Sequence, residues 1–401
     1  MKIAHIVYQS LPNISGSSIR TRDLLMSQKE IGLFPFVISS PFQNGINKDS
    51  DIDVINGVTH YRTYNNNENH LVSEEVSGFK KKTSKFITVY KFYKSCTKII
   101  KEQQPQIIHA HATFYCALTA LFLSKKFNIP VIYEVRSLWE EREKKQVKSF
   151  LKRIVLKVIT NLETFCMRKA NKVIVINKEL EREISLRGVK NISIIPNGVN
   201  TSLINGLNLE KRDVIKGLVF GYVGSISPIE GLDLLAKASK ELENENLNFS
   251  VKIYGDGVFL EPLKELVNVL RLKNFFFLGK LKPEEISEAY KSIDVIVNPR
   301  LKSKISDTVT PLKPLEAMAY KKLVIASNVG GMRELIDDKV NGLLFDSDNL
   351  MSLKKILTQV IENGIDNEIV DNGFKHVLNN KSWNQNAKKY FNIYKKIIET
   401  N

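Results

Sequence analysis

Residues 298–336 read NPRLKSKISDTVTPLKPLEAMAYKKLVIASNVGGMRELI and gather four cations, Arg300, Lys302, Lys304 and Lys313, around one helix start. Pro314 suits only the first turn of a helix, where a missing N–H costs nothing, so the spacing predicts a start near Pro311 to Lys313. Free amides beside cations at such a start suit phosphate oxygens. Glu316 lies one turn further on. A carboxylate next to an anion site pairs best with neutral hydroxyls, such as those of a ribose. The stretch therefore reads as a nucleotide-diphosphate pocket. Taken singly, each lysine is an ordinary solvated loop charge, and only the cluster points to the pocket.

The elements that must hold this stretch are short apolar strands alternating with helices. Ile293–Val297 leads into it, and Leu323–Ala326 lies within it after the helix. Upstream in the same half come Leu218–Gly224, a helix from Gly231 to Asn244, Phe249–Gly255 and Phe275–Gly279. The first half repeats the pattern with Ile3–Val7, Ile107–His111, Pro130–Trp139, Lys172–Asn177 and Ile192–Gly198. This alternation predicts an α/β protein with parallel, doubly wound sheets. Residues 198–216 lack apolar periodicity and read as an interdomain linker. The boundaries expected are 1–200, 201–380 and a last helix over 381–401. Gly255-Asp256-Gly257 is only part of a dinucleotide fingerprint, because Leu260 stands where the third glycine would be. An NAD site is not expected.

Composition sets limits. A chain of 401 residues with 43% hydrophobic and 25% charged residues is that of a soluble globular protein of two ordinary domains. No apolar run reaches the length of a membrane span, and the first residues enter a strand without a cleavable signal pattern. Cys96, Cys116 and Cys166 are widely spaced and read as reduced core thiols of a cytoplasmic protein. The net charge of +16 is uneven: residues 1–200 carry 31 Lys and Arg against 17 Asp and Glu. The basic half would suit an anionic membrane, nucleic acid or an acidic substrate.

Two stretches could meet such a partner. Residues 79–104 form a basic amphipathic helix with Phe86, Tyr90, Tyr93, Thr97 and Ile100 on one face and lysines on another. It is either an ordinary surface helix or a membrane-facing one. Lys144 to Lys172 is a second basic helical stretch. His5, inside a strand, reads as a satisfied core histidine. Arg20 and Arg22 read as surface charges on a helix from about Ile19 to Gly32. Residues 41–78 read as irregular, with Asp51-Ile52-Asp53 in a solvated turn and a run at Asn65–Asn67.

The pieces GYVGSISPIEGLDLL, YGDG, FFFLGKL and KPLEAMA…VIASNVGGMRELI, in this order, resemble family-4 glycosyltransferases of the GT-B fold over essentially the whole chain. HIVYQSLPNISGSSIRTRDLL, YEVRSLWEE and VTPLKPLEAMA look like the subgroup associated with bacterial exopolysaccharide and exosortase clusters. The resemblance implies two Rossmann-like domains facing a central cleft. It implies retaining transfer from a UDP- or GDP-sugar, without a metal or other cofactor, to a glycan or lipid-linked acceptor. It also implies a cytoplasmic enzyme at the inner face of the cell membrane.

Carried onto this chain, Glu316 matches the family glutamate that binds the ribose. The partner glutamate's place holds Thr308. The family's diphosphate-binding Arg and Lys fall on Ser225 and Glu230. With neither able to balance a departing diphosphate, Arg300 and Lys313 are the expected stand-ins, with Lys302, Lys304 and the amides around Leu312. Gly16, Gly224, Gly255 and Thr310 complete the donor-binding set. Arg136 stands where the family often has a histidine against the donor sugar; it could instead pair with Glu134 or Glu140. His111 could touch the acceptor or be structural. A sugar-nucleotide epimerase or phosphorylase of the same fold, or a non-catalytic basic binding protein, are the competing readings. No recognised nucleic-acid motif is present.

Overall fold

The computed structural model describes residues 1–43, 51–63, 78–138, 140–141, 149–200 and 217–400, with the side chains of 78–87 and 283 left aside. The Asn65–Asn67 run, Phe86, Trp139, Lys144 and most of the expected linker lie outside the described residues. The chain divides into Met1–Pro196 with Trp383–Asn401, and Asn197–Ser382.

The first unit is built on an eight-stranded sheet: β1 (Lys2–Val7), β2 (Phe34–Ser39), β3 (Ile52–Ile55), β4 (Val58–Arg62), β5 (Ile107–His111), β6 (Val131–Val135), β7 (Lys172–Val175) and β8 (Ile192–Ile194). Their order is β3-β4-β2-β1-β5-β6-β7-β8, parallel except for the β3–β4 hairpin. The hairpin occupies part of the stretch expected to be irregular. Asn56 and Gly57, both at positive φ, make its turn, the strongest short hairpin signal a sequence carries. Asp53 is therefore in a strand, and it pairs with Arg62 at 2.7 Å.

Helices α1 (Gly16–Glu30), α2 (Gly78–Gln103), α3 (Phe114–Phe127), α4 (Phe150–Lys169) and α5 (Lys178–Ser185) belong to this unit. Ser15 caps α1 by accepting from the Ser18 amide, and Ser18 Oγ accepts from the Ser15 amide in return; both bonds satisfy donors the helix start leaves open. In α2 the buried stripe is Phe92, Cys96 and Ile100, while Tyr90 is exposed. The expected face was out of phase because tyrosine was counted with the apolar set, whereas the i, i+4, i+8 spacing of Phe92, Cys96 and Ile100 sets the contact. The three cysteines are free and buried.

The second unit carries β9 (Leu218–Val223), β10 (Phe249–Tyr254), β11 (Phe275–Gly279), β12 (Val295–Asn298), β13 (Leu323–Ser327) and β14 (Leu343–Phe345). All are parallel, in the order β11-β10-β9-β12-β13-β14. This is the doubly wound order in which the winding reverses between the first and fourth strands. Ligands of such sheets bind outside the strand C-termini at that point. Here it lies between β9 and β12.

The helices are α6 (Leu232–Asn244), α7 (Leu260–Val269), α8 (Ile286–Lys291), α9 (Lys304–Thr308), α10 (Lys313–Ala319), α11 (Gly330–Arg333), α12 (Leu350–Asn363) and α13 (Asn367–Asn380). Two apolar layers enclose the sheet. Leu235, Leu242 and Leu357 pack on one face and Leu315, Met318 and Met332 on the other. The last helix, α14 (Trp383–Thr400), packs on α1 in the first unit. It buries Trp383, Ala387, Tyr390, Tyr394 and Ile397, the stripe its helical period dictates. No helix among the described residues is long and apolar enough to cross a membrane.

Candidate active site

At the switch point of the second unit, the loops after β9 and β10 are laced backbone to backbone. Gly224 N donates to Tyr254 O (2.8 Å), Gly255 N to Gly279 O (2.7 Å) and Ile226 N to Asp256 O (2.9 Å). Gly255 holds φ +149, and a Cβ there would lie 1.8 Å from the Gly224 carbonyl oxygen. Only glycine fits such an approach.

Two of the four expected cations converge in this place. Lys313, the first residue of α10, reaches across Gly224, hydrogen bonds Tyr222 OH and lies 3.0 Å from Glu230 Oε2. Its ammonium also sits 4.5 Å from the centre of the Tyr222 ring. Arg300 Nε is 3.7 Å from the same Glu230 oxygen, and its Nη1 donates to the Val309 carbonyl at 3.2 Å. Lys302 and Lys304 are exposed, and Lys304 opens the short helix α9, which Ser303 caps through the Ser306 amide. The four cations thus divide into an inner pair and an outer pair.

Glu230 is more than a missing cation. It is the acid that holds the inner pair. Burial opposes its ionisation, yet Lys313 and then Arg300 outweigh that and keep its carboxyl below the usual range. Burial in turn depresses Lys313, and Glu230 opposes the shift. Tyr222 is driven well above its ordinary value by burial and by the Glu230 charge. Such a compensated cluster is pre-formed and can exchange one anion for another without creating new positive charge.

The rest of the expected donor set lies along the same segment. Pro314 falls in the first turn of α10, and the Glu316 amide bonds the Leu312 carbonyl at 3.0 Å. Glu316 is half-buried, and Tyr290 OH donates to its Oε2 at 3.4 Å. Tyr290 is itself fixed by a parallel stack on Tyr320, with centroids 4.5 Å apart. Thr310 is buried, and its carbonyl accepts from the Asn197 amide at 2.6 Å. Thr308, in the place of the family's other glutamate, turns inward and donates to the Lys304 carbonyl at 2.7 Å.

In the first unit, strand register assembles a second polar centre. His5 lies opposite His109 across β1 and β5, and His111 opposite Glu134 across β5 and β6. The period of two puts His109, His111, Glu134 and Arg136 on one face of the sheet, toward α1 and α14. Glu134 Oε1 accepts from Arg20 Nε (3.0 Å) and Arg136 Nε (2.7 Å), and Oε2 accepts from Tyr390 OH. Arg20 is thus buried rather than a surface charge; it shares the inward stripe of α1 with Leu24 and Gln28. Arg22 pairs with Asp23 at 2.7 Å. Glu140 takes Arg187, which leaves Arg136 to Glu134.

The hydrogen bonds assign the tautomers of all three histidines. Arg136 Nη2 can only donate, so His111 Nδ1 accepts at 2.7 Å. His111 Nε2–H then donates to His5 Nδ1 at 2.8 Å, and His5 Nε2–H to Gln28 Oε1 at 2.9 Å. Gln28 Nε2 donates to Tyr394 OH (2.9 Å), and that hydroxyl to His109 Nδ1 (2.8 Å). His109 Nε2–H faces Glu134 Oε2 at 3.4 Å, too long for a strong bond. One-way donation therefore runs from the Arg136 guanidinium through His111, His5, Gln28 and Tyr394 to His109, whose Nε2–H lies near Glu134 without bonding it.

The three rings lie close enough to suggest a metal site. Each ring, however, already directs its lone pair at a neighbour's N–H or O–H. A cation there would have to break three of these bonds. Burial first, then the nearby His109 and Arg136, holds His5 and His111 well below their ordinary value. Burial lowers His109 despite its contact with Glu134. Burial resists the Glu134 charge, but Arg20 and Arg136 overcome this and keep it ionised. Arg136 is 7% exposed, with Nη1 bonded to Ser17 O, Ser17 Oγ and Thr21 Oγ1. Gly16 stands at the start of the same helix, with nothing within 4 Å of an added Cβ.

Comparison with known proteins fits both units. The family described as Glycosyltransferase Family 4 matches residues 49–203, and that described as Glycosyl transferases group 1 matches residues 210–377. An uncharacterized glycosyltransferase of Methanocaldococcus jannaschii is 25% identical over 82% of this chain and 86% of its own length. The UDP-Gal:alpha-D-GlcNAc-diphosphoundecaprenol alpha-1,3-galactosyltransferase of Escherichia coli is 26% identical over 76% of each chain. Among solved structures, the sucrose-phosphate synthase of Thermosynechococcus elongatus superposes with TM-score 0.75 at 19% identity over the whole of both chains. Anabaena HepE in complex with UDP-glucose gives TM-score 0.72 at 18% identity, over 98% of this chain and all of its own. With a family match on each unit and the same fold in these structures, the chain belongs to the GT-B glycosyltransferases of the family-4 type.

Proposed function

We propose that the enzyme moves a sugar, with retention at the anomeric carbon, from a UDP- or GDP-sugar to a lipid-linked or polysaccharide acceptor in bacterial surface-glycan synthesis. The observation that carries this is the Lys313–Glu230–Arg300 cluster at the switch point, with Glu316 one turn into α10. In the transfer the bond from the anomeric carbon to the diphosphate oxygen breaks and a bond to the acceptor oxygen forms. The acceptor's proton leaves with the nucleoside diphosphate. The growing negative charge is met by Lys313 and Arg300 as they turn from Glu230 to phosphate, which supplies the stabilisation without a metal ion. Glu316, held by Tyr290, takes the ribose hydroxyls. The backbone around Gly224, Gly255, Thr310 and Leu312 shapes the phosphate side, and Gly16 is assigned to the donor phosphates.

Arg136 acts in this reading as a positioning residue, because Glu134, His111 and Ser17 hold it. An epimerase would need acid and base groups turned toward the donor, whereas His5, His109 and His111 direct their nitrogens at one another and their neighbours; transfer is the better reading. The E. coli relative's diphosphoundecaprenol substrate supports a lipid-linked acceptor, and so does the resemblance of the N-terminal motifs to the exopolysaccharide-associated subgroup. The basic first half supports peripheral contact with the inner face of an anionic membrane. The test is release of nucleoside diphosphate from UDP-, GDP-, ADP- and CMP-sugars in the presence of membranes. Turnover with one donor that needs an acceptor is expected. Absence of release from all of them removes the proposal, and turnover without an acceptor would favour the epimerase.

A further inference from the structure

We infer that the groove between α2 and the β3–β4 hairpin of the first unit holds an acidic stretch of the acceptor glycan, away from its reacting end. The groove measures about 530 Å³, within the roughly 300–1,000 Å³ of small-molecule sites. One wall is a stripe of α2: Thr88, Lys91, Ser95, Lys98 and Glu102 recur at steps of three and four residues and so share a face. The other wall is Ile52, Tyr61 and Thr63 of the hairpin and its exit. The helix already packs through Phe92, Cys96 and Ile100, so the fold does not need this second stripe. A stripe that faces a neighbouring element and yet stays polar keeps the gap open instead of closing it.

The lining selects the ligand. Lys91, Lys94 and Lys98 all border the groove and are exposed. Arg62, at its base, is already engaged: it donates to Asp53 (2.7 Å), Ser10 Oγ (2.7 Å) and the Leu11 carbonyl (2.7 Å). The lysines therefore supply the charge for an incoming acid group. Asp51 and Glu102 also line the groove, and carboxylates there suit neutral hydroxyls. Acid groups and hydroxyls on one chain are the chemistry of an acidic glycan, whether its acid is a uronate or a phosphodiester. A nucleic acid fits worse. Its regular phosphates would meet Asp51 and Glu102, and Tyr61, the one aromatic among the described lining residues, is held edge-to-face on Phe36, which leaves no row of platforms for stacked bases.

Placement says which part of the glycan lies there. Thr63 directly follows β4 and Pro41 lies just past β2, so the groove opens at the strand C-terminal end, the end that also carries Arg136 after β6. In the sheet order β4-β2-β1-β5-β6 these two places are four strand steps apart, roughly 19 Å at strand spacing. That is beyond the span of a single sugar ring. The groove thus holds a part of the chain that has already been built, while the sugar being extended lies nearer Arg136. This assignment rests on the glycan acceptor proposed above.

Binding of defined oligosaccharides to the full chain, measured by calorimetry without donor, tests it. The probes are oligogalacturonate, a glycerol-phosphate oligomer and neutral maltooligosaccharide. One of the two acidic probes should bind, at least about tenfold more tightly than the neutral one, and which of them binds names the acid group. Lys94→Glu/Lys98→Glu changes only exposed side chains; it should weaken that binding roughly tenfold with the melting temperature unchanged. Ser95→Trp should block the groove with its charge intact. Lys152→Glu/Lys157→Glu, on α4, makes the same charge change elsewhere and should bind as the parent does. Binding of neither acidic probe overturns the inference, as does an equal loss in both double variants, which would make the attraction a general field. Tighter binding of a single-stranded oligonucleotide than of either glycan also overturns it. Titration of UDP and GDP into the same proteins separates the two proposals. Nucleotide binding without acidic-glycan binding would sink the groove alone, and glycan binding without nucleotide binding would sink the transfer reading alone.

Discussion

Glu230 Oε2 and Lys313 Nζ lie 3.0 Å apart across the mouth of β9. The acid occupies the place where the family resemblance implies a cation for the donor's phosphates, and a cation reaches it instead from the first residue of α10. The sign of the position is reversed, but the charge needed there is present and held in register. A bound diphosphate would compete with Glu230 for Lys313 and Arg300. Donor affinity is then a difference between two anions and not the attraction of bare cations.

Removing the acid should expose that competition. Glu230→Gln leaves Lys313 and Arg300 without a counter-charge, and the free protein should lose about 1–3 kcal/mol of stability. A nucleoside diphosphate should then raise the melting temperature by more than it does in the parent. Scanning calorimetry with and without ligand checks this, and an equal or smaller ligand effect would refute the exchange.

The glycines separate backbone from side-chain effects. Gly255→Ala would press a methyl onto the Gly224 carbonyl at positive φ, which should cost at least about 2 kcal/mol and abolish donor binding. At Gly224, which also holds a positive φ of +143, the atom met is the flexible Cε of Lys313 and not a backbone oxygen, so Gly224→Ala should lower the urea midpoint through backbone strain and also weaken donor binding by displacing Lys313. Urea titrations beside ligand titrations distinguish the two.

Glu134 is the common acceptor of the first unit's polar centre. Glu134→Gln leaves the guanidinium groups of Arg20 and Arg136 buried with a neutral partner, for a loss of about 3–5 kcal/mol. The melting temperature of the unit that holds Trp383 should fall sharply, while nucleotide affinity of the second unit stays near its original value. A variant as stable as the parent would mean that the centre is not the keystone its bonds suggest.

Acid should weaken the first unit in a defined window. His5, His109 and His111 are lowered from 6.5, and His60 is lowered to about 4, first by burial and then by Arg62. Below pH 6.5 the unfolded chain binds protons that the folded chain refuses, so stability falls as pH drops, by up to about 1.4 kcal/mol per pH unit for each histidine. Glu134 acts with the same sign lower down: its depressed carboxyl contributes stability above the ordinary carboxylate value, and this is lost as pH falls through the folded value. Urea midpoints between about pH 7.5 and 5 should decline steadily. A flat profile would contradict neutral buried histidines.

Much of this was legible in the sequence, and the failures share a cause. Apolar runs and their spacing located most of the strands, though not β3, β4 or β14, and Pro314 placed the start of α10. Periodicity reports which face a residue takes, but not which distant charge it meets. Arg20 reads as a surface charge because arginine usually is one; its place beside Leu24 and Gln28 on the inward stripe was the available clue. Glu230 reads as a lost cation because its ion-pair partners, Arg300 after β12 and Lys313 at the start of α10, lie far along the chain. The Asn56-Gly57 turn was a plain signal overlooked between polar neighbours. The α2 stripe was mis-phased because tyrosines can lie half in water.

The central claim is that Lys313 and Glu316 hold the two ends of a nucleoside diphosphate. Calorimetric titration of UDP and GDP into the parent, Lys313→Ala and Glu316→Ala tests it directly. One of the two nucleotides should bind the parent, and each substitution should weaken it by roughly tenfold or more, equivalent to about 1.4 kcal/mol, with the fold intact. Binding of equal strength in all three proteins, or no binding of either nucleotide to the parent, would contradict the account.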